Sequence, residues 1–279
     1  MEKVWNKIRM IFMDKALRNR VLFVLAALVV FRLLANIPIP GIDPVALERV
    51  INNNQLLGAF NILSGGGLSH FSIIMLGVGP YITGSIIMQL LTIMVPRLKA
   101  MYQEEGEIGK KKFTQYGRIL TVPLAVIQGF SLILLLSKQG VLGDLTNFQM
   151  IANVVIVVGG SMLLMWIGEL ISEFGIGNGV SMIIFAGIVA NIPQNIGQFI
   201  FTFDMARLPA YLVFLAVGLL IVAGVVVITE AERPIPVTYS KQIRGYGNAG
   251  GVQTYVPLRV NQAGVIPIIF GLSILMFPQ

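Results

Sequence analysis

The sequence predicts an all-α polytopic membrane protein, and three observations carry that prediction. Of its 279 residues, 56% are hydrophobic and 12% charged, with a mean hydropathy of +0.82, which leaves too little charge to cover a water-soluble globule of that size. Six apolar segments approach the roughly 20 helical residues that cross a hydrocarbon core about 30 Å thick, and a seventh begins near the end. The basic residues, finally, crowd into alternate loops.

The segments are residues 21–37, 71–95, 119–136, 151–171, 180–203 and 209–228, followed by an apolar run from 263 to the end. The fifth is interrupted at Asn191, Pro193, Gln194 and Asn195, so it reads as a shorter span that passes into an irregular external stretch. The run from 263 stops at Gln279, and either barely spans or belongs to something longer. The basic leader before Val21 opens into a full span with no small-residue cleavage site, so the first span is expected to direct insertion itself.

Six of the twenty Lys and Arg residues precede Val21. Six more (Arg97, Lys99, Lys110, Lys111, Lys112, Arg118) lie between the second and third spans, and four (Arg233, Lys241, Arg244, Arg259) between the sixth and seventh. These sixteen share one side, which places the N-terminus in the cytoplasm. Topology alone accounts for such a bias, as does topology combined with contact to anionic lipid or RNA. Arg32 is the one charge well inside a span; it lies near the external end, from where its side chain can snorkel to the headgroups. Glu169 and Glu173 sit one turn apart at the cytoplasmic end of span four, as expected of a solvated helix end.

Several chemistries lack their residues. Cysteine is absent and His70 is the single histidine, so thiolate nucleophiles, disulfides and paired-histidine metal motifs are excluded, and no metal or cofactor is expected. An intramembrane protease would need a Ser/His pair, paired aspartates or a zinc motif within spans. A secondary transporter with inverted repeats is the competing class, but it usually needs ionisable or coordinating groups near the midplane, and peripheral Arg32 is the only candidate charge.

Three stretches depart from plain spans. Pro38 and Pro40 in "NIPIPGID" end the first helix in an extended exit. Then "GAFNILSGGGLSHFS", Gly58 to Ser72, would expose Leu57, Phe60, Ile62, Leu63 and Leu68 as a free loop, so it is expected to tuck back as a short helix interrupted by glycines. Non-helical backbone at membrane depth is tolerated only inside protein or beside a wet cavity. In span two, Pro80 should kink the helix, Gly77, Gly79 and Gly84 permit close approach, and Gln89 and Thr92 prefer an interface or water path to lipid. Between spans four and five, Gly175, Gly177 and Gly179 allow reversal within a few residues.

Five motifs taken in order resemble the SecY family of protein-translocase channel subunits: "FRLLANIPIPGID"; "NILSGGGLSHFSI" leading into "GPYITGSIIMQLLT"; "EEGEIGKKKFTQYGR"; "WIGELISEFGIGNGVSMIIFAGIV"; and "VPLRVNQAGVIPIIF". The resemblance implies a clamshell of ten spans in two inverted halves. This chain would then supply a cytoplasmic leader at 1–20, the first half at 21–203, and the start of the second half at 204–279 with a large cytoplasmic loop at 230–262. Alone it is expected to insert but not to translocate.

The resemblance further implies a protein-conducting channel, not an enzyme, in the bacterial plasma membrane. Its pore ring would comprise Val78, Ile82, Val180, Ile184 and Ile269, with Ile266 close behind Ile269; its plug would be residues 58–70, with Gly58, Gly65, Gly66 and Gly67 as hinges and Phe60, Ile62 and Leu63 as seal. Gln89 and Thr92 would line a lateral gate. Lys110, Lys111, Lys112, Arg233, Lys241, Arg244 and Arg259 would dock partners, and Gly245, Gly247, Gly250 and Gly251 suit a hairpin tip. Implied partners are SecE and SecG-like small subunits, the SecA ATPase, the ribosome through its RNA, signal peptides, nascent chains and membrane lipids. The chain departs from the family pattern at Gly117, where a hydroxyl residue is typical, and at Phe174 and Tyr246 to Asn248, where basic residues are usual.

Overall fold

The computed structural model describes residues 14–39, 46–47, 49–50, 57–58, 61, 64–143, 146–239, 252–261, 264 and 271. The chain divides into a first unit, Met1–Gly197 with Phe270–Gln279, and a second unit, Gln198–Ile269.

In the first unit, α1 (Lys15–Ala35) starts at Asp14, whose carboxylate accepts from the Ala16 amide at 2.9 Å and so satisfies one orphan donor of the first turn. The exit predicted at Pro38 is extended and pairs as an isolated antiparallel bridge with Ser72. Residues 64–78 follow as irregular turns, and α2 begins only at Gly79 (Gly79–Met94). The predicted second span is thus helical over less of its length than its hydropathy suggests. Pro80 does not kink α2 but sits in its first turn, where a missing N–H leaves no bond unmade. The sharp bend comes later, at Val95, where α2 meets α3 (Pro96–Gln103) at 110°.

α4 (Gly106–Lys138) and α5 (Asn147–Phe174) are each long and apolar enough to cross a membrane. α4 reaches well before the predicted third span, because residues 106–118 continue the helix as a polar extension carrying Lys110 to Lys112. α5 opens with a capping box in which Thr146 and Gln149 satisfy each other's end of the first turn. The glycine turn then delivers α6 (Gly179–Ala190): Gly177 adopts φ +74°, Asn178 caps Ser181 at 3.2 Å, and the Ser172 hydroxyl accepts from the Gly179 amide at 2.8 Å. The expected break falls at Asn191, but the stretch beyond it is not irregular as predicted: it resumes at once as α7 (Ile192–Phe201), because Pro193 sits in a first helical turn, where its missing N–H leaves no bond unmade.

Lipid tails are as apolar as leucine, so helices in a bilayer associate through close packing rather than through escape from water. Small residues mark the contacts here. A Cβ on Gly84 of α2 would lie 3.1 Å from the Thr121 hydroxyl and 3.3 Å from the Gly117 carbonyl of α4. Gly168 of α5 faces Val180 and Ile183 of α6, with a Cβ there 3.1 Å from the Val180 methyl. Arg118 of α4 donates through Nε to Glu169 of α5 at 2.5 Å, so Glu169 has an ionic partner on the neighbouring helix as well as access to solvent.

In the second unit, Phe199, Phe203 and Tyr211 form a ring cluster with centroids 4.9 to 6.0 Å apart beside a 3-10 turn at Met205–Arg207. α8 (Leu208–Glu230) is long and apolar enough to span, and none of its residues is buried. It leads into an antiparallel hairpin of β1 (Glu232–Tyr239) and β2 (Val252–Arg259), an addition to the helical bundle that hydropathy does not reveal. The register pairs Glu232 with Arg259 and Pro234 with Pro257. All three strand prolines, Pro234, Pro236 and Pro257, share one parity of the ladder. Since the Val260 amide donates to the Ala231 carbonyl at 3.0 Å, that parity is the one whose amides point away from the partner strand, where a missing N–H is tolerated.

Candidate functional site

The site is a buried irregular segment lying among α1, α5 and α6, next to an apolar cluster. Ser64 to Leu68 are buried, so the glycine stretch is tucked into protein, as expected, rather than loose in solvent. Gly65 and Gly66 adopt φ +74° and +80°, a region that favours glycine. Gly65 also lacks room for any side chain: a Cβ would lie 2.6 Å from the Phe31 ring and 3.0 Å from the Gly187 Cα. Conversely, a Cβ on Gly187 would sit 2.5 Å from the Gly65 Cα, so two backbones touch there. Asn191 flanks Gly66, at 3.5 Å from the position of its absent Cβ.

The segment satisfies much of its own polarity. The Asn61 carbonyl accepts from the Gly66 amide at 2.8 Å and the Ser64 hydroxyl at 3.1 Å, while its side chain accepts from the Ser69 amide at 2.9 Å. Ser69 donates its hydroxyl to the Gly66 carbonyl at 2.8 Å. Farther along, the Ser161 hydroxyl of α5 donates to the Gly77 carbonyl at 3.1 Å, and a Cβ on Gly160 would overlap the Ile73 carbonyl. Phe71 takes φ +43° with its ring fully buried, which over-determines an otherwise strained backbone.

Arg32, half-buried, has a partner inside the protein that the sequence did not suggest. Its guanidinium donates to the Gly65 carbonyl at 3.4 Å, and the Asn36 side chain donates to the Arg32 carbonyl at 2.9 Å. A charge in a span is costly and usually finds a partner; here that partner is the glycine segment.

Among the expected ring residues, Val78 is buried and Ile82, Val180 and Ile184 are half-buried in one apolar cluster with Val24, Phe31, Ile74, Leu164, Ile167, Ile171 and Ile183. The Ile82 amide donates to the Val78 carbonyl at 3.0 Å, so these two stand one turn apart. Ile266 and Ile269 lie outside the described residues, as do Phe60, Ile62, Leu63, Lys241, Arg244 and the glycines of the hairpin tip. Gly58 is helical and half-buried; Gly67 is buried with its neighbours. Gln89 is exposed and Thr92 half-buried on α2, where the Thr92 hydroxyl is satisfied by the Gln89 carbonyl of its own helix at 2.6 Å. Lys110, Lys111, Lys112, Arg233 and Arg259 are exposed, the last 3.7 Å from Glu232. Sequence reasoning missed Phe31, Gly160, Ser161 and Gly187 as partners of the segment; the unexplained charge at Arg32 was the one signal that could have led to them.

Helices of spanning length packed against a buried non-helical segment define a multi-pass membrane protein. The comparisons with known proteins agree. Residues 72–279 match the SecY family, and the chain belongs to it. The protein translocase subunit SecY of Streptomyces scabiei is 42% identical over 282 residues, which covers 96% of this chain and 64% of that relative. A solved structure described as a protein-conducting channel superposes with a TM-score of 0.60 at 19% identity, covering 93% of this chain and 56% of its own. Another, reported for a SecY plug domain that stabilises the closed state of the translocation channel and maintains a membrane seal, gives 0.57 at 20% identity, covering 92% and 56%. The fold is that of these channels, and the chain spans about two thirds of the length of the curated relative.

Proposed function

We propose that the chain builds the first half and the beginning of the second half of a protein-conducting channel, which passes secretory polypeptides across the bacterial plasma membrane and releases membrane segments sideways into lipid. The observation that carries this reading is the buried glycine segment beside an apolar cluster containing Val78, Ile82, Val180 and Ile184. A hydrophobic constriction holds back ions because water is poorly stabilised within it, and a removable backbone segment can close it further without a dedicated gate domain. Ile269 completes the ring, residues 58–70 form the plug, and Gln89 and Thr92 line the lateral exit. Lys110 to Lys112 on α4 and the hairpin with Arg233, Lys241, Arg244 and Arg259 receive the SecA ATPase or ribosomal RNA. SecE and SecG-like subunits, signal peptides and nascent chains complete the set of partners, with lipid surrounding the whole.

The function is tested in proteoliposomes holding this chain, the remainder of the family fold and the small subunits. A secretory precursor is expected to become protease-protected on addition of SecA and ATP. Protection no greater than that of empty liposomes, under conditions where a complete relative protects its precursor, would refute the reading.

The cytoplasmic N-terminus is tested separately. Cysteine placed at Lys111 or Arg233 in sealed cells should react only after the membrane is opened, and cysteine at Asn53 or Asp144 from outside. External labelling at Lys111 would invert the topology.

A further inference from the structure

Between Arg207 and Glu230 the chain has no charged residue, so nothing within α8 fixes how deep it sits in the bilayer. Its helical length, about 34 Å at the usual rise per residue, just exceeds a hydrocarbon core of about 30 Å. The two ends therefore lie at opposite boundaries. One leads into the hairpin; the other carries a turn that is too apolar for water. Ile200 is 66% exposed, Phe201 93% and Met205 75%, and Phe203 remains exposed although its ring stacks on Tyr211 at 5.5 Å. The backbone here satisfies its own polarity. The Gln198 carbonyl accepts both the amide of Thr202 at 3.0 Å and its hydroxyl at 2.8 Å, and the Asp204 carbonyl accepts the Arg207 amide at 3.0 Å. Such local closure suits a medium poorer in hydrogen-bond partners than water. Phe199 and Phe201 stand two positions apart on α7, about 200° around the helix axis, and both are exposed. One flat protein face cannot cover both, whereas lipid surrounds them.

We infer that residues 199–211 form an interfacial foot, whose partner is phospholipid and which seats the start of α8 at the boundary between headgroups and acyl chains. Phe199, Phe203 and Tyr211, with ring centroids 4.9 to 6.0 Å apart, make a rigid aromatic platform at headgroup level, where such rings are favoured because one end is apolar and the other wet. Ile200, Phe201 and Met205 reach the upper acyl region, and exposed Arg207, in the 3-10 turn just before α8, meets phosphate. The inference rests on the membrane-spanning character of α8 and not on the channel reading.

Because the chain has no cysteine, Phe201→Cys and Met205→Cys each carry a single nitroxide label without competing sites. The labelled chain, assembled with the remainder of the family fold and cysteine-free small subunits, is placed in vesicles of phosphatidylethanolamine and phosphatidylglycerol. Collisions with dissolved oxygen, which concentrates among acyl chains, are compared with those of a water-soluble nickel chelate. Lipids bearing nitroxides at known depths give the scale, and Tyr255→Cys on the hairpin gives the reference for water. Both foot labels should collide mainly with oxygen, at a depth of about 5–10 Å. Nickel collisions as frequent as at Tyr255→Cys would put the foot in water and overturn the inference. Weak collisions with both reagents would overturn it as well, by showing that a protein partner or a second copy covers the foot. Seating is tested by a label at Leu212→Cys, one turn into α8, which should gain nickel collisions severalfold when Phe201 and Met205 are both replaced by serine. An unchanged Leu212→Cys label would show that the foot does not set the depth of α8.

Discussion

Replacing Gly160 by alanine should destabilise the protein by about 3 kcal/mol, the upper end of what overpacking costs, whereas the same change at neighbouring Gly159 should be neutral or stabilising by up to about 1 kcal/mol. The two glycines are adjacent on α5 and equal in helix propensity. They differ in what a Cβ would meet: at Gly160 it overlaps the Ile73 carbonyl, and at Gly159 it finds nothing within 4 Å. A main-chain carbonyl cannot change rotamer to make room. It must move with residues 73–77, which are tied to α5 by Ser161 and to the α1 exit by the Ile73 amide. Thermal unfolding in mild detergent measures both variants. Equal stabilities would mean that the segment does not lie against α5 as described.

The second large effect concerns the constriction proposed at Ile82 and Ile184. Ile82→Gly and Ile184→Gly in the assembled channel should each raise the resting ion leak about tenfold, the factor that corresponds to lowering a barrier by about 1.4 kcal/mol. Each removes a half-buried side chain from the cluster that contains Val78 and Val180, and a wider, less apolar throat wets more easily. Leu33→Gly carries the same helix penalty at a side chain that is 63% exposed on α1, and serves as the control. Planar-bilayer conductance that rises for Leu33→Gly and stays at the parent value for both isoleucine variants would place the constriction elsewhere.

Hydropathy made the spanning helices legible because it reports where side chains can face lipid, and backbone there must satisfy its own hydrogen bonds. The segments at 119–136, 151–171 and 209–228 fall wholly inside α4, α5 and α8, and the turn at 175–178 follows from its glycines. Hydropathy is blind to whether apolar backbone is helical or irregular, which is why residues 71–78 read as helix. Nor does it see the polar start of α4, which is held by α3 through the Tyr102 and Phe113 rings at 4.9 Å, or the strands of the hairpin, whose pairing depends on a partner far along the chain. Pro80 was legible as a special position but not as a helix start, since that depends on where Val78 turns. The candidate site was only half legible. Spacing places Val78 with Ile82 and Val180 with Ile184, but the meeting of Arg32 with Gly65, and of Gly65 with Gly187, joins residues remote in sequence that only the packed bundle brings together.

The central claim is that a polypeptide passes beside the cluster of α2 and α6. A photoreactive amino acid at Ile82, at Ile184 or, as a lipid-facing comparison, at Leu33 tests it in the assembled channel, with a precursor stalled in transit by a folded C-terminal domain. Adducts to the precursor from Ile82 and Ile184 but not from Leu33 are the predicted result. Adducts from Leu33 alone, or none from the two isoleucines while the precursor is demonstrably stalled, would contradict the account.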